Sequence, residues 1–299
     1  MSEIQNSQDT VERFHGALIQ HGSFNNRIYL MKINDEDPDE LVSSLLEKAQ
    51  TNGYTKVLAK LPRSNSNAFL NAGYRKEAEI PGFYAGKEDA LFLCYYLSKN
   101  RILERNSTEI EKIYKLSKQK QVARESVITQ PLDVKLTMQN MSKDDVHRMA
   151  ELYSCIFPSY PFPIVDSNYL LETMESHVDY FGIETGSKLV ALSSLEKDIK
   201  NKNAEMTDFA TLPEWQSRGV AKHLLVHMEE QAKPKGILTA YTIARAESPG
   251  MNIVFTKNAY RYGGRLTNNT NISGLSLIHI SEPTRRYAIS YGVVGLKKK

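Results

Sequence analysis

PEWQSRGVAKHLLVHM, residues Pro213 to Met228, is the stretch on which the reading of this chain turns. It opens on a proline turn, carries Gly219 after Arg218, and continues with Val220, Leu224, Leu225 and Met228 along one helical face. Helix starts usually carry a short polar cap and negative charge, because their first N–H groups have no partner within the helix. This start has a tryptophan, an arginine and a bare glycine instead, and no acidic cap. An open start with a residue that lacks Cβ is a docking place for an anion.

The elements around this start predict an α/β fold. The second half opens on strand Val134–Asn140. Ser142 then caps a helix whose buried face is Val146, Met149, Tyr153 and Ile156, with Asp145 completing a box-like cap. A proline-rich loop, Pro158–Asp166, leads into helix Ser167–His177. Strands Tyr180–Glu184 and Lys188–Glu196 are joined through Thr185-Gly186-Ser187 as a hairpin. Strand Ala204–Thr211, helix Val220–Gln231, strand Ile237–Ala244, helix Pro249–Lys257 and strand Tyr260–Asn268 follow. Cys155, among apolar helix residues, is expected in the core.

The first half also mixes helix and strand: strand Arg27–Ile33, helix Pro38–Thr51 with Leu41, Leu45 and Ala49 on one face, and strand Tyr54–Leu61. A short helix, Asn67–Ala72, is closed by Gly73, and Tyr74–Phe83 and Ala90–Leu97 form a strand pair. A polar, charged helix over Ser107–Glu125 reads as a connector with a solvated Lys face. A faint repeat links the halves. FLNAGYRKEAEI (Phe69–Ile80) echoes FTKNAYRYGGRL (Phe255–Leu266), with Tyr74-Arg75 matching Tyr260-Arg261. The first copy is followed by an apolar strand, so the second is expected to have one too.

At that point the chain reads LSLIHISEPTR (Leu275–Arg285), which resembles the in-frame translation of a transposase-type sequencing-library adapter ending in a lysine run. We therefore set 275–299 aside as a non-native tail, with the last native strand missing. LSLIHI is β-prone and is expected to pair at the open strand position even so, with Glu282–Lys299 loosely packed. The exclusion matters for charge. The chain has Lys+Arg 38 and Asp+Glu 35; without Arg285, Arg286, Lys297, Lys298, Lys299 and Glu282 the counts become 33 and 34. The net of −1 gives no case for a nucleic-acid partner. No apolar run approaches the ~20 residues of a membrane span. The N-terminus reads as lacking a signal peptide, and two cysteines make no disulfide framework, so a cytoplasmic setting is expected.

Gln216-Ser217-Arg218-Gly219-Val220-Ala221, with the strand and helix order on either side, resembles the GNAT family of acyl-CoA N-acyltransferases. The resemblance implies that backbone N–H groups at this helix start hold the pyrophosphate of acetyl-CoA. Phe209, Ala210, Thr211, Asn252 and Phe255 would form the rest of the cofactor site. It also implies a catalytic base at Glu205, fourteen residues before Gly219. Chemistry explains the need. An alkyl ammonium with pKa near 10.4 is a free amine in only about one molecule in 2500 at pH 7, a penalty of ~4.6 kcal/mol. A positioned carboxylate can take that proton. Asp208 is the alternative, and strand periodicity turns the two opposite ways unless a bulge intervenes. The family's acidic tyrosine is replaced by Phe255, leaving Tyr260 or Tyr262, or no side-chain acid, for the leaving thiolate. His223 and His227 lie four apart without a third ligand, and no metal is expected.

Over roughly Phe14 to Gly274 the chain resembles the β-lysine ε-acetyltransferases. AEMTDFATLPEWQSRGVAKHLL (Ala204–Leu225), ARAESPGMNIVFTKNAYRYGGRLTNNTNI (Ala244–Ile272) and AGYRKEAEIPGFYAGKEDALF (Ala72–Phe92) carry the likeness. It implies transfer of acetyl to the ε-amine of β-lysine, giving a compatible solute made under salt stress. On this reading 1–100 is a degenerate GNAT-like domain, 101–130 the connector and 131–274 the catalytic domain. The residues alone imply only a compact primary amine beneath the Phe157–Asp166 loop. Tyr160, Asp208 and Asn268, with Asn269 and Thr270 beside it, are the expected acceptor contacts. Two other readings stay open: a GNAT enzyme for another small or protein amine, and a non-catalytic acyl-CoA sensor.

Overall fold

The structure, a computed structural model, describes residues 9–34, 37–104, 106–123, 127, 131–271 and 275–283. In chain order the elements begin with β1 (Thr10–Phe14), β2 (Ala17–Gly22), β3 (Arg27–Lys32), α1 (Pro38–Thr51), β4 (Lys56–Pro62), α2 (Ser66–Asn71), β5 (Arg75–Tyr84), β6 (Glu88–Tyr96) and α3 (Ser107–Gln119). They continue with β7 (Thr137–Asn140), α4 (Val146–Ile156), α5 (Ser167–Ser176), β8 (Val178–Thr185), β9 (Lys188–Asp198), β10 (Asn203–Thr211), α6 (Val220–Ala232), β11 (Thr239–Arg245), α7 (Pro249–Lys257), β12 (Tyr260–Asn271) and β13 (Leu275–Pro283).

All thirteen strands join one mixed sheet, in the order β1-β2-β3-β4-β6-β5-β12-β13-β11-β10-β9-β8-β7. Among the described residues only β3–β4 and β10–β11 pair in parallel, each across a helical crossover, α1 in one case and α6 in the other. The order β1-β2-β3-β4-β6-β5 in the first half repeats β8-β9-β10-β11-β13-β12 in the second. The faint sequence echo falls on the matching pairs α2–β5 and α7–β12. Each half packs its crossover helix on one face: Leu41, Val42, Leu45 and Ala49 of α1 over β3 and β4, and Val220, Leu224, Leu225 and Met228 of α6 over β9 and β10. Asp37 caps α1 by accepting from Asp39 N at 2.9 Å, with Pro38 at the first helical position.

The halves join edge to edge, β5 against β12, with Ala78 opposite Gly264. A Cβ on Gly264 would lie 2.4 Å from the Ala78 Cα, and its φ of +147° is a conformation reserved for glycine. Lys56 fastens the joint, donating to Thr267 O at 2.8 Å and pairing with Glu77 at 3.3 Å. Gly264→Ala should therefore cost about 1–3 kcal/mol or more of stability, measured by urea unfolding, because backbone on both sides has to shift.

Most predicted elements are present within a few residues. The hairpin β1–β2 was not anticipated, and α3 ends at Gln119 rather than reaching Glu125, which lies outside the described residues. Leu275–Pro283 takes the sheet position between β11 and β12, pairing with both. Of the stretch expected to be loose, residues 284–299 lie outside the described residues. Cys155 is exposed on α4, correcting its expected place in the core: it lies on the helix face turned away from Met149 and Tyr153.

Candidate active site

The parallel partners β10 and β11 pair only over Asn203–Glu205 and Thr239–Tyr241. Beyond Glu205 they diverge, and β11 takes β13 as its partner over Thr242–Arg245. The split leaves a cleft lined by Thr207, Asp208 and Phe209 on one side, Thr242–Arg245 on the other, Met251 and Phe255 of α7, and Phe157 and Tyr160 from the proline-rich loop. Glu205 stands on the last rung before the strands part.

A bulge between Thr207 and Ala210 accompanies the split, with Asp208 at φ +52°. Ala204 and Met206 face the α6 core, as does Phe209, whereas Ala210 packs on the α4 side. The extra residue thus reverses the alternation, and Glu205 and Asp208 reach the same side of the sheet. Asp208 accepts from Ser194 Oγ at 2.5 Å and from the Tyr160 hydroxyl. Tyr160 and Asp208, both expected at the acceptor site, therefore meet.

The site is acidic and rich in tyrosine. Glu196 stands opposite Glu205 on β9, and Tyr241 stands opposite it on β11. Burial pushes the Glu205 carboxyl up to about 8; Glu196 and Asp208 add to the shift, while Lys60 and a hydrogen bond from Tyr241 oppose it. Burial also raises Asp208, against the pull of its bonds from Ser194 and Tyr160. Glu196 is raised too, by burial first, with the nearby His177 and Lys60 pulling the other way. Tyr153, Tyr160, Tyr169 and Tyr180 all feel the Asp208 charge, and Tyr180 exchanges a 2.8 Å hydrogen bond with Thr173. Several aromatic rings around a carboxylate suit a cation.

The predicted anion site lies at the start of α6, the helix that packs on β9 and β10. Gly219 is the N-cap of α6 at φ +79°, and Ser217 is also left-handed at +61°. No side chain caps the helix and its first turn holds no acid. Nothing lies within 4 Å of a Cβ built on Gly219, so the approach is open. The Arg218 guanidinium stacks on Trp215 at 4.9 Å, and Gln216 Nε2 donates to Thr211 O at 3.2 Å, fixing the turn. An arginine and a tryptophan at a helix start thus brace the loop and leave its N–H groups unobstructed. These residues fit the pyrophosphate of a nucleotide-linked acyl donor.

Other predicted residues lie elsewhere. Tyr260 is fully buried against Phe255, ring centroids 5.1 Å apart, within the core under α6, and does not line the cleft. Tyr262 stacks on Tyr114 of α3 at 4.7 Å, also outside it. Asn268 spends its amide on Arg101 O and Leu103 O, at 2.9 and 2.8 Å, holding the start of the connector. Asn269 donates to Thr270 Oγ1 at the same joint. Asn252 donates to Arg245 O and Ser248 O, so it fastens α7 to the end of β11. His227 bonds Asn140 at 3.1 Å and meets the Phe181 ring edge-on. Glu196, Tyr241 and Lys60 were missed. Glu196 was findable by counting back through the β9–β10 hairpin from Glu205; Lys60 comes from the other half and leaves no local signal.

The split strands, the bulge and the open helix start define an acyltransferase fold, and comparison with known proteins agrees. Residues 146–251 match the Acetyltransferase (GNAT) family. The chain belongs to that family and is an acyl-CoA-dependent N-acetyltransferase. It is 38% identical over 266 residues to a β-lysine N6-acetyltransferase of Methanococcus maripaludis, spanning 89% of this chain and 95% of that protein. A second protein so named, from Methanosarcina mazei, is 32% identical over 250 residues, 78% of this chain and 92% of its own. A crystal structure of the ribosomal-protein-S18-alanine N-acetyltransferase from Escherichia coli superposes with a TM-score of 0.45 at 14% identity, over 52% of this chain and 97% of that one. No helix among the described residues is long and apolar enough to cross a membrane.

Proposed function

We propose that the protein transfers acetyl from acetyl-CoA to the ε-amine of β-lysine, making the compatible solute Nε-acetyl-β-lysine in the cytoplasm during osmoadaptation. The observation that carries this reading is an unobstructed helix start at Gly219 together with three carboxylates, Glu205, Glu196 and Asp208, set among tyrosines where β10 parts from β11. The carboxylates attract a substrate bearing two ammonium groups, and the two β-lysine N6-acetyltransferases support the choice of amine.

Glu205 takes the proton from the ε-ammonium. The free amine attacks the thioester carbonyl, the C–S bond breaks, and the CoA thiolate that leaves takes up the second proton from the acylated nitrogen, so that amide and CoA thiol are the products. A thiol near pKa 8.5 is an adequate leaving group without a side-chain acid, which suits the burial of Tyr260. Thr207, Phe209 and the split edge of β11 hold the acyl and pantetheine portions, with Phe255 and Met251 as the apolar wall. Asp208, held by Ser194 and Tyr160, receives the second ammonium. Asp208→Asn should raise KM for β-lysine about tenfold or more with a smaller effect on kcat, read by steady-state kinetics. NMR of the product should place a single acetyl on the ε-nitrogen; acetylation at the β-nitrogen would reverse the assignment of the two carboxylates.

A protein amine is a poorer fit, because the Phe157–Tyr160 segment covers the acceptor side. The same reading takes 1–100 as a degenerate GNAT-like domain, 101–130 as connector, 131–274 as catalytic domain and 275–299 as adapter-derived. Sequencing the source gene past codon 274 tests the last of these: the same codons in clean genomic DNA would make the tail native.

A further inference from the structure

In the proposed reaction no residue of the first half is assigned to acetyl transfer, yet its β5–β6 end packs against the strand that carries Tyr241. The turn between β5 and β6 is bonded to the catalytic half at three points. Ala85 N donates to Asn201 O at 2.6 Å, Asn203 Nδ2 to Phe83 O at 3.0 Å, and Thr239 Oγ1 to Gly82 O at 2.8 Å. This sets the Phe83 ring 5.3 Å from Tyr241, which stands opposite Glu205. Above Phe83 lies the Lys60 ammonium of β4, 5.2 Å from the ring centroid and 6.0 Å from that of Tyr29.

Two lysines on the same face of β4 differ in their circumstances. Lys56 is fully buried and is held by Glu77 and Thr267 O. Lys60 is half-buried, and among the described residues no carboxylate comes within 4.0 Å of its Nζ. It nevertheless senses Glu196 and Glu205, which together with Tyr29 hold its ammonium charged against the cost of burial. Beside the cleft's Asp208 this face of the sheet thus carries Glu196 and Glu205, and Lys60 is the cation that the first half adds to them, while Arg245 lines the cleft on the β11 wall. A substrate complementary to that set carries two ammonium groups and one carboxylate.

The geometry points to Lys60 as the residue that receives the substrate's carboxylate, so that the first half of the chain selects diamino acids over simple diamines. This rests on the proposed amine acetylation at Glu205 and deepens it. A carboxylate at Lys60 leaves one ammonium for Asp208 or Glu196 and the other for Glu205 and the acyl carbon. A polyamine would instead leave the Lys60 ammonium facing a third positive charge.

The test compares Lys60→Met, which keeps the aliphatic stem, with wild type on two acceptors: β-lysine, and putrescine, which has the same four-carbon spacing between amines without the carboxylate. Lys60→Met should lower kcat/KM for β-lysine about ten- to hundredfold, mainly through KM, and leave putrescine unchanged or improved. Lys60→Arg should recover part of the loss. Equal losses on both acceptors, with wild-type β-lysine turnover intact, would show that Lys60 only tunes the carboxylates, and would overturn the inference while sparing the proposed reaction. Wild-type preference for another diamino acid, such as lysine or ornithine, lost selectively in Lys60→Met, would overturn β-lysine as substrate and leave the inference standing. Wild-type preference for putrescine over every diamino acid would overturn both.

Discussion

Glu205→Gln should lower kcat/KM for the amine by about 10²–10⁴ at pH 7. The loss should shrink at high pH, where the amine is already neutral and needs no base. The raised carboxyl pKa sets the direction of the wild-type profile. Glu205 accepts a proton only when ionised, so activity should climb with pH through a transition near 8. Glu205→Gln should remove that step. Stability should move the other way. Unfolded, the carboxyl ionises near 4.3; folded, it keeps its proton to about 8. Between these values the folded state binds more protons, and the wild type loses stability as pH rises through that window. Glu205→Gln should therefore melt higher than wild type at pH 8 and above, while being far less active. Lower activity with lower stability would mean the carboxylate is a structural anchor.

Gly219→Val should weaken acetyl-CoA binding by a factor of at least ten to a hundred, measured by calorimetry. Two causes act together. A β-branched residue resists φ +79°, costing of order 1–3 kcal/mol. Its methyl groups also stand where the phosphates approach the first N–H groups of α6, and each charge-assisted bond lost is worth about 1.5–3 kcal/mol. Nothing in the protein lies within 4 Å of the new Cβ, so the variant should still fold, as a thermal melt would verify. Wild-type acetyl-CoA affinity in a folded Gly219→Val protein would remove the anion site from the account.

What the sequence made legible follows from the range of the interactions involved. The helix start at Gly219 and the apolar face of α6 are local, so spacing alone located them. The bulge at Asp208 decides whether two carboxylates act together, and it was foreseen only as a condition, because a bulge depends on how β9 pairs with β10. Asn252, Asn268 and Tyr260 stand away from the Glu205 cleft for a related reason. Each is polar and reads as available from sequence, yet the first two donate to backbone carbonyls and the third is buried in the α6 core. Lys60 was invisible because its place near Glu205 depends on how the two halves meet, at the Gly264 joint and the Gly82–Gly86 turn among others. The β1–β2 hairpin escaped notice because its first strand, TVERF, is short and mostly exposed.

The most direct test incubates the full chain with acetyl-CoA and β-lysine and follows release of the CoA thiol. The account predicts release that requires β-lysine, saturates with it, and accompanies one acetyl on its ε-nitrogen. Tight acetyl-CoA binding with no thiol release above background for β-lysine or any other small amine would contradict it, and would make the protein an acyl-CoA sensor.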